Sequence, residues 1–299
     1  MEDRASALIA ALRMLGDPVA LDLAGRLWRC QKQRVERRQG RRSRVDRPCR
    51  SVACPYCHRR LSGQWCDRAA GQMAHATDDA MSMVTIMLTR TGSLDSIRDT
   101  VRGLRVALRN LRDRHARRCA AQWRSVEFAG VVETDMMWPD DVIRLPPGRR
   151  SVIQHLPVLV HPDDILFVPH LHAVCHHPGL EPQVLHDVLS SQWPGKGRVD
   201  VRPCDMDDNA AANAGGVIAY AAKHNTSLTL SGDVDVEIPM AWQARYFSWL
   251  HGLRAGLAPL RVRIRPMRDV VGCLLQHVGH DDGTVALTED EDEAMPVVC

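Results

Sequence analysis

Two histidines lie one residue apart in the segment Pro-His-Leu-His-Ala-Val, as His170 and His172. Polarity in this segment alternates with a period of two, which predicts a strand with both imidazoles on one face and apolar side chains on the other. Two imidazoles at this spacing are close enough to bind one divalent ion. We therefore predict a metal site on this strand.

A carboxylate for the same site lies on a second predicted strand, Phe-Ala-Gly-Val-Val-Glu-Thr, which carries Glu133 among apolar neighbours. One carboxylate and two imidazoles suit Mg²⁺, Mn²⁺ or a similar ion with coordination positions left open for phosphate oxygens. The connection from Thr134 to the histidine strand is long, so Asp135 is the alternative carboxylate.

A tyrosine and a lysine lie three residues apart, as Tyr220 and Lys223, in a chain with three residues of each type. On a helix this spacing places both on one face. An ordinary phenol has a pKa of about 10, so a nucleophilic tyrosine needs help, and a nearby cation favours the phenolate. We predict that Tyr220 is a nucleophile assisted by Lys223, with Tyr56 and Tyr246 as alternatives.

Cysteines cluster near the front of the chain, where Cys49, Cys54 and Cys57 are followed by His58. The spacing Cys-Pro-Tyr-Cys forms the tight knuckle that brings two sulfurs to one tetrahedral zinc. No βαβ pattern surrounds it, which argues against a redox pair. Cys30 is predicted as the fourth zinc ligand, and His58 and Cys66 are its rivals.

The net charge of +3 conceals an uneven distribution. Between Arg26 and Arg60 there are thirteen Lys or Arg residues against two acids, whereas residues 278–299 hold seven acids and no Lys or Arg. A basic segment around a zinc knuckle favours the phosphate backbone of nucleic acid as a partner. Six of its arginines are predicted to contact DNA: Arg41, Arg42, Arg44, Arg50, Arg59 and Arg60.

Composition narrows the class of protein. The 299 residues are 45% hydrophobic and 25% charged, and no apolar run approaches the roughly 18 residues of a membrane span, which excludes membrane and wholly disordered classes. The first residues include Glu2 and Asp3 and do not form a secretory signal, so a cytoplasmic location is expected.

The elements that must position these residues alternate between strands and helices after residue 82. Residues 1–29 are predicted to be helical, with a break at residues 16–18, and a loop or hairpin is predicted around residues 145–148. The predicted strands cover residues 83–89, 128–134, 165–175, 199–201, 260–264 and 270–275. The predicted helices cover residues 94–123, 209–223 and 241–256.

Four regions follow from these patterns. They are an N-terminal helical segment (1–29), a basic cysteine-rich zinc-binding segment (30–82), a domain of alternating strands and helices (83–278) and an acidic disordered tail (279–299).

The order of these motifs resembles that of the rolling-circle replication initiators of bacterial plasmids, which belong to the HUH endonuclease superfamily, named for its paired histidines. The resemblance rests on the strand at residues 83–89, on Phe-Ala-Gly-Val-Val-Glu-Thr, on Pro-His-Leu-His-Ala-Val and on Ala-Tyr-Ala-Ala-Lys. The upstream cysteine segment is similar to one found in a zinc-knuckle group of these initiators. The match covers roughly residues 30–223.

The resemblance implies an α+β fold with a central antiparallel sheet flanked by helices. It implies that Glu133, His170 and His172 hold Mg²⁺ or Mn²⁺ at a scissile phosphate, with Zn²⁺ in the cysteine cluster. Tyr220 would nick one strand of plasmid origin DNA, leaving a 5′-phosphotyrosyl link and a free 3′-OH primer, and Lys223 would stabilise charge. The implied partners are the single-stranded or supercoiled origin, the host helicase and the replication machinery.

The chain departs from this family near the tyrosine. Relatives carry a glutamate one helical turn before it, or a second tyrosine, where this chain has Gly216 and His224. Candidates for activating water in the closing step are Asp207, Asp208 and His224. Alternative functions are a transposase or relaxase of the same chemistry, and a zinc-containing DNA-binding regulator without catalysis.

Overall fold

The fold is built on an antiparallel sheet in a computed structural model that describes residues 2–39, 48–118, 121–204, 209–221, 227–253 and 258–267. Five strands pair in the order β4-β1-β3-β2-β7, so the histidine strand lies in the middle. The bounds are β1 Met81–Met87, β2 Glu127–Met137, β3 Leu166–His176, β4 Val199–Pro203 and β7 Arg261–Ile264. A separate hairpin consists of β5 Ser227–Leu230 and β6 Val234–Glu237. The predicted α+β fold with a central antiparallel sheet is confirmed.

The longest pairing joins β2 to β3 over eleven residues, from Glu127 opposite His176 to Met137 opposite Leu166. The two strands approach closely at Gly130, where a Cβ would lie 2.5 Å from the Cβ of Ala173. A glycine is therefore required for this register. It keeps the acidic positions of β2 opposite the histidines of β3.

Eight helices surround the sheet in the described part of the chain. Their bounds are α1 Glu2–Leu15, α2 Pro18–Arg38, α3 Pro55–Met73, α4 Leu94–Arg118, α5 Pro147–His155, α6 Pro182–Gln192, α7 Ala210–Ala221 and α8 Met240–Gly252. Helix α3 packs against α7, and α1 and α2 pack against each other and against α8. The first two helices are separated at Gly16, as predicted, and Asp17 caps α2 by accepting a hydrogen bond from Ala20 N at 2.9 Å.

Helix α4 carries an apolar stripe at helical spacing, in which Ile97, Val101, Leu108 and Leu111 are fully buried. The helix is tied to the edge of the sheet by Arg105, which donates hydrogen bonds to the carbonyl of Arg261. A polar residue thus completes the attachment of a helix whose apolar stripe was evident from the sequence.

Several predictions of local structure need correction or extension. Residues 145–148 were predicted as a loop or hairpin, but α5 begins at Pro147, because a proline at the first helical position needs no backbone donor. Helices α3 and α6 and the β5–β6 hairpin were not predicted. The predicted strand at residues 270–275 lies outside the described residues.

Residues 1–266 form one compact unit. Helix α2 continues across residue 29, where the first predicted boundary lies. The four-region division of the chain stays a prediction.

Candidate metal centres and active site

The first candidate centre consists of Glu133, His170 and His172 on the central strand pair. Glu133 lies directly opposite His170 in the β2–β3 register, and His172 follows two residues later on the same face. Oε2 of Glu133 lies 3.5 Å from Nε2 of His170 and 3.3 Å from Nε2 of His172. The three ligand atoms lie within 4.8 Å of one another, so this donor set fits one divalent ion.

Backbone and side-chain contacts orient the two imidazoles. Nδ1 of His170 donates to the carbonyl oxygen of Val168 at 3.1 Å, which directs Nε2 of the ring towards Glu133. Nδ1 of His172 lies 3.2 Å from the hydroxyl of Thr85 on the neighbouring strand. Such contacts to the second ring nitrogen are typical of metal-binding histidines.

The electrostatics of this cluster keep its carboxylate ionised. Burial disfavours the charged form, but hydrogen bonds from His170 and His172 outweigh it and lower the pKa of Glu133 to about 2. Burial also opposes a charge on His170, yet the nearby Asp135 and Glu133 carboxylates raise the pKa of that imidazole. The cluster therefore attracts positive charge, as a cation site must.

The alternative carboxylate, Asp135, lies on the other side of the His170 ring. Its Oδ2 is 3.7 Å from Nδ1 of His170 and accepts a hydrogen bond from Nη2 of Arg149 at 2.6 Å. The structure thus groups Glu133, rather than Asp135, with the two Nε2 atoms. Asp135 lies near Nδ1, the ring nitrogen that faces away from Glu133, where a carboxylate can orient a metal-binding imidazole.

Tyr220 lies beside this cluster on α7, which packs over β2 and β3. Its ring meets the ring of His172 edge-on, with centroids 5.4 Å apart and planes at 89°. The side chain is 57% exposed, so a macromolecule can reach its hydroxyl. The predicted helper, Lys223, lies outside the described residues, as do Asp207, Asp208 and His224.

The other two tyrosines are placed differently. Tyr246 is buried on α8, and this burial raises the pKa of its phenol above the ordinary value. The ring of Tyr56 packs against the guanidinium of Arg34 at 4.1 Å, near the cysteines at the start of α3. Neither tyrosine combines exposure with a contact to the histidine pair.

The sheet face that carries the centre is open towards β1 and β4. Thr85 pairs with His172 and with Asp200, so these three side chains share the face. On the same face Met83 is 43% exposed, and Arg202 opposite it on β4 is exposed as well. A polymer chain could therefore approach Tyr220 along this side of the sheet.

The second candidate centre is formed by four buried cysteines from three segments. Cys30 comes from α2, Cys49 from the following loop, and Cys54 and Cys57 from the start of α3. Sulfur–sulfur distances are 3.4 Å for Cys49 and Cys57, 3.8 Å for Cys30 and Cys54, and 3.9 Å for Cys30 and Cys57. Ligands of a tetrahedral zinc with Zn–S bonds of about 2.3 Å are about 3.8 Å apart. The cluster is compatible with a zinc site.

The structure also separates Cys30 from its rivals. Nε2 of His58 contacts the hydroxyl of Ser62 at 3.2 Å, and Cys66 lies further along α3 near Gly215. Neither belongs to the four-sulfur cluster, which contains Cys30. Hydrogen bonds among the thiols lower the pKa of Cys30 and raise the pKa values of Cys49 and Cys57, so the four sulfurs share their protons as one group.

Three of the predicted DNA-contacting arginines lie beside this cluster. Arg50, Arg59 and Arg60 are exposed, and Arg50 adopts a positive φ of 52° next to Cys49. The other three, Arg41, Arg42 and Arg44, lie outside the described residues.

Sequence reasoning missed a third cluster, formed by His75, Glu127 and His176. Its signal was present in the spacing, since Glu127 precedes Glu133 by six residues and His176 follows His170 by six. Even spacing keeps these side chains on the same faces of their strands. The pairing of the two strands was needed to recognise it.

No protein-family model matches the chain, and comparisons with curated proteins and with solved structures returned no significant similarity. Among the described residues, no helix combines the length and the apolar character needed to cross a bilayer.

Proposed function

We propose that the protein is a metal-dependent DNA nicking and joining endonuclease that initiates rolling-circle replication of a plasmid. One observation carries this proposal: an exposed tyrosine, Tyr220, lies against a histidine of a Glu-His-His cluster on a central strand. The order of motifs that resembles the HUH endonucleases, and the basic segment around a four-cysteine cluster, support it further.

In this proposal Glu133, His170 and His172 hold a Mg²⁺ or Mn²⁺ ion. When bound, such an ion supplies Lewis-acid polarisation of the scissile phosphate. Thr85 and the Val168 carbonyl hold the imidazoles in orientation through their Nδ1 atoms. Because the site and Tyr220 share one sheet face, a phosphate held at the cluster would lie within reach of the phenol.

The reaction is a transesterification. The hydroxyl oxygen of Tyr220 attacks phosphorus, a bond forms between that oxygen and phosphorus, and the bond from phosphorus to the 3′ oxygen breaks. The exposed position of Tyr220 lets the phenolic proton pass to solvent, and the departing 3′ oxygen takes up a proton. Joining reverses these steps, since a 3′-OH can attack the phosphotyrosine. One phosphodiester replaces another, so no nucleotide hydrolysis is required.

The basic segment would contribute affinity rather than chemistry. Exposed Arg59 and Arg60 lie on the first turns of α3, next to the cysteine cluster. Arginines on a rigid element suit the sugar-phosphate backbone and make binding depend strongly on salt. Zn²⁺ in the cysteine cluster would hold α2, the intervening loop and α3 together.

The test is covalent capture. The full chain is incubated with Mn²⁺ and either supercoiled DNA of its plasmid or a pool of randomised single strands, and adducts are separated on a denaturing gel. We expect a DNA–protein adduct with a free 3′-OH, lost in Tyr220→Phe and kept in the matched control Tyr56→Phe. Absence of nicking and adduct on both substrates would overturn the proposal, and an adduct that survives Tyr220→Phe would assign another nucleophile.

Two related functions differ from this one, either in the DNA on which the adduct forms or in the absence of an adduct. A transposase or relaxase would form the same adduct but would act on transposon ends or a transfer origin rather than on a replication origin. A zinc-containing DNA-binding regulator, favoured by the exposed arginines beside the four cysteines, would retain DNA without forming an adduct.

A further inference from the structure

A second group of imidazoles and a carboxylate lies at the other end of the β2–β3 pair. Glu127 is the first residue of β2 and lies opposite His176, the last residue of β3. His75 reaches them from the turn that follows α3. Oε1 of Glu127 lies 2.8 Å from Nε2 of His75 and 3.3 Å from Nδ1 of His176, and the two rings meet at 82°.

Glu127 is 1% exposed, which makes its charge expensive to bury without compensation. Its ion pairs within the described residues are with the two histidines, not with a lysine or arginine. The positive charge that stabilises this carboxylate must then come from a protonated imidazole or from a bound cation.

The other carboxylate oxygen of Glu127, Oε2, is held in place by a hydrogen bond. Nε2 of Gln72 donates to Oε2 of Glu127 at 3.1 Å, and the amide oxygen of Gln72 accepts a hydrogen bond from Nε of Arg263 at 2.9 Å. Oε1 is therefore directed at the imidazoles. Hydrogen bonds of this kind orient carboxylate ligands around protein-bound metals.

We propose that His75, Glu127 and His176 form a further metal site, one that binds Zn²⁺ or a similar borderline transition ion. The three donor atoms lie within 4.8 Å of one another, and ligands of a tetrahedral zinc are separated by about 3.3 Å. One carboxylate and two imidazoles suit Zn²⁺ and other borderline ions. The side chain of His75 is 58% exposed, so a fourth position faces solvent and can hold water.

This site would fasten α3 to the sheet. The same helix carries Cys54 and Cys57 at its start and packs along α7, the helix of Tyr220. A metal at its far end would tie the end of α3 to the first residue of β2 and the last residue of β3. Metal binding at this site does not depend on whether the protein cleaves DNA.

The experiment measures zinc stoichiometry in the full chain. The background variant is His170→Ala/His172→Ala, which removes the first centre. His75→Ala is added to it, and His155→Ala serves as the matched control, because His155 is also exposed and contacts only the Ser151 carbonyl in the described structure. After loading with Zn²⁺ and exhaustive buffer exchange, metal is counted by mass spectrometry.

We expect the His75→Ala protein to hold one equivalent of zinc fewer than the background, and the His155→Ala protein to match the background. Added Zn²⁺ should also raise the Tm of the background and the control more than that of the His75→Ala protein. Equal zinc content and equal Tm shifts in all three would overturn the proposal and assign the cluster as a hydrogen-bonded imidazole–carboxylate–imidazole group.

Discussion

The two ends of the β2–β3 pair carry the same set of three ligands, one carboxylate and two imidazoles, in different surroundings. At one end Glu133 lies opposite His170, and at the other Glu127 lies opposite His176. At the first end both histidines belong to one strand and an exposed tyrosine lies against them. At the second end one histidine lies in the turn that follows α3, and no tyrosine lies near it among the described residues.

This difference indicates that the paired strands β2 and β3 supply ligands to both centres. The helices packed against these strands determine which chemistry each centre can support. Helix α7 brings a nucleophile candidate, Tyr220, over the first centre. Helix α3 instead orients the carboxylate of the second cluster through Gln72, and the turn after α3 adds His75. The first end suits chemistry on a phosphate, and the second suits attachment of a helix.

The rate of nicking should differ most between a variant of Tyr220 at the first centre and a variant of His75 at the second. Tyr220→Phe should lower the rate of nicking by more than about 10³-fold, because it removes the attacking oxygen. His75→Ala should leave that rate within about threefold of wild type, since surface substitutions away from a reacting centre cost little. Single-turnover nicking assays measure both. Equal losses in the two variants would contradict the division of roles.

Replacing the carboxylate of each centre by an amide tests whether the two centres have different roles. Glu133→Gln should reduce nicking by about 10²- to 10³-fold, since it weakens the hold on the catalytic ion and its orientation. Glu127→Gln should instead lower zinc content by one equivalent with nicking largely kept. Metal analysis and nicking rates on the same preparations check this, and the reverse pattern would exchange the two assignments.

Acid pH should distinguish the wild type from Glu133→Gln in protein free of added divalent ions. The pKa of Glu133 is lowered from 4.5 to about 2 in the folded state, so its ionised form stabilises the fold above about pH 4.5. This stabilisation, up to about 3 kcal/mol, is lost as the pH falls from about 4.5 through about 2.

Urea unfolding between pH 5 and pH 2 measures this dependence. The Glu133→Gln protein should show a flatter dependence than wild type. The exposed Glu237→Gln provides a control that keeps it. Identical curves for wild type and Glu133→Gln would reject the role of the histidine contacts.

A substitution at Gly130 should have a smaller effect than the changes above, and it should alter both metal centres. Gly130 lies between Glu127 and Glu133, and a Cβ there would meet Ala173 and the His172 carbonyl. Gly130→Ala should therefore destabilise the protein by about 1–3 kcal/mol through overpacking and weaken metal binding at both centres.

The control for this substitution is Gly103→Ala on α4, where nothing lies within 4 Å of the added Cβ. That change should be neutral or stabilising by up to about 1 kcal/mol, because alanine favours the helix. Thermal unfolding compares the two. A neutral Gly130→Ala would show that the strands can separate without loss of register.

Local periodicity made much of the first centre predictable. Alternation placed His170 and His172 on one strand face, and the neighbouring apolar strand supplied Glu133. The stripe of α4 was similarly evident, since its period is that of a helix. Cys30, the predicted fourth zinc ligand, belongs to the four-cysteine cluster, and its role as a ligand stays a prediction.

The rest depended on long-range pairing or on weak local patterns. Glu127 meets His176 only because β2 and β3 pair in a particular register, and that register depends on contacts between distant residues such as Gly130 and Ala173. Helix α3 buries Trp65, Ala69 and Met73 at four-residue spacing, but His75 lies in the turn beyond the helix, so this pattern did not indicate that His75 would reach the sheet. The roles of Tyr220 and Lys223 stay predictions.

The spacing of the two acidic positions on β2 has a consequence for loading with ions. Six strand residues span about 20 Å, whereas charges at physiological ionic strength are screened over about 8 Å. Because the two centres are buried, salt screens them less than it screens surface charges, but the carboxylate at each end offsets one charge of a divalent ion. The remaining repulsion across about 20 Å is about 1 kcal/mol or less at an effective dielectric constant of about 20, so each end can fill and exchange its ion with only a modest effect on the other.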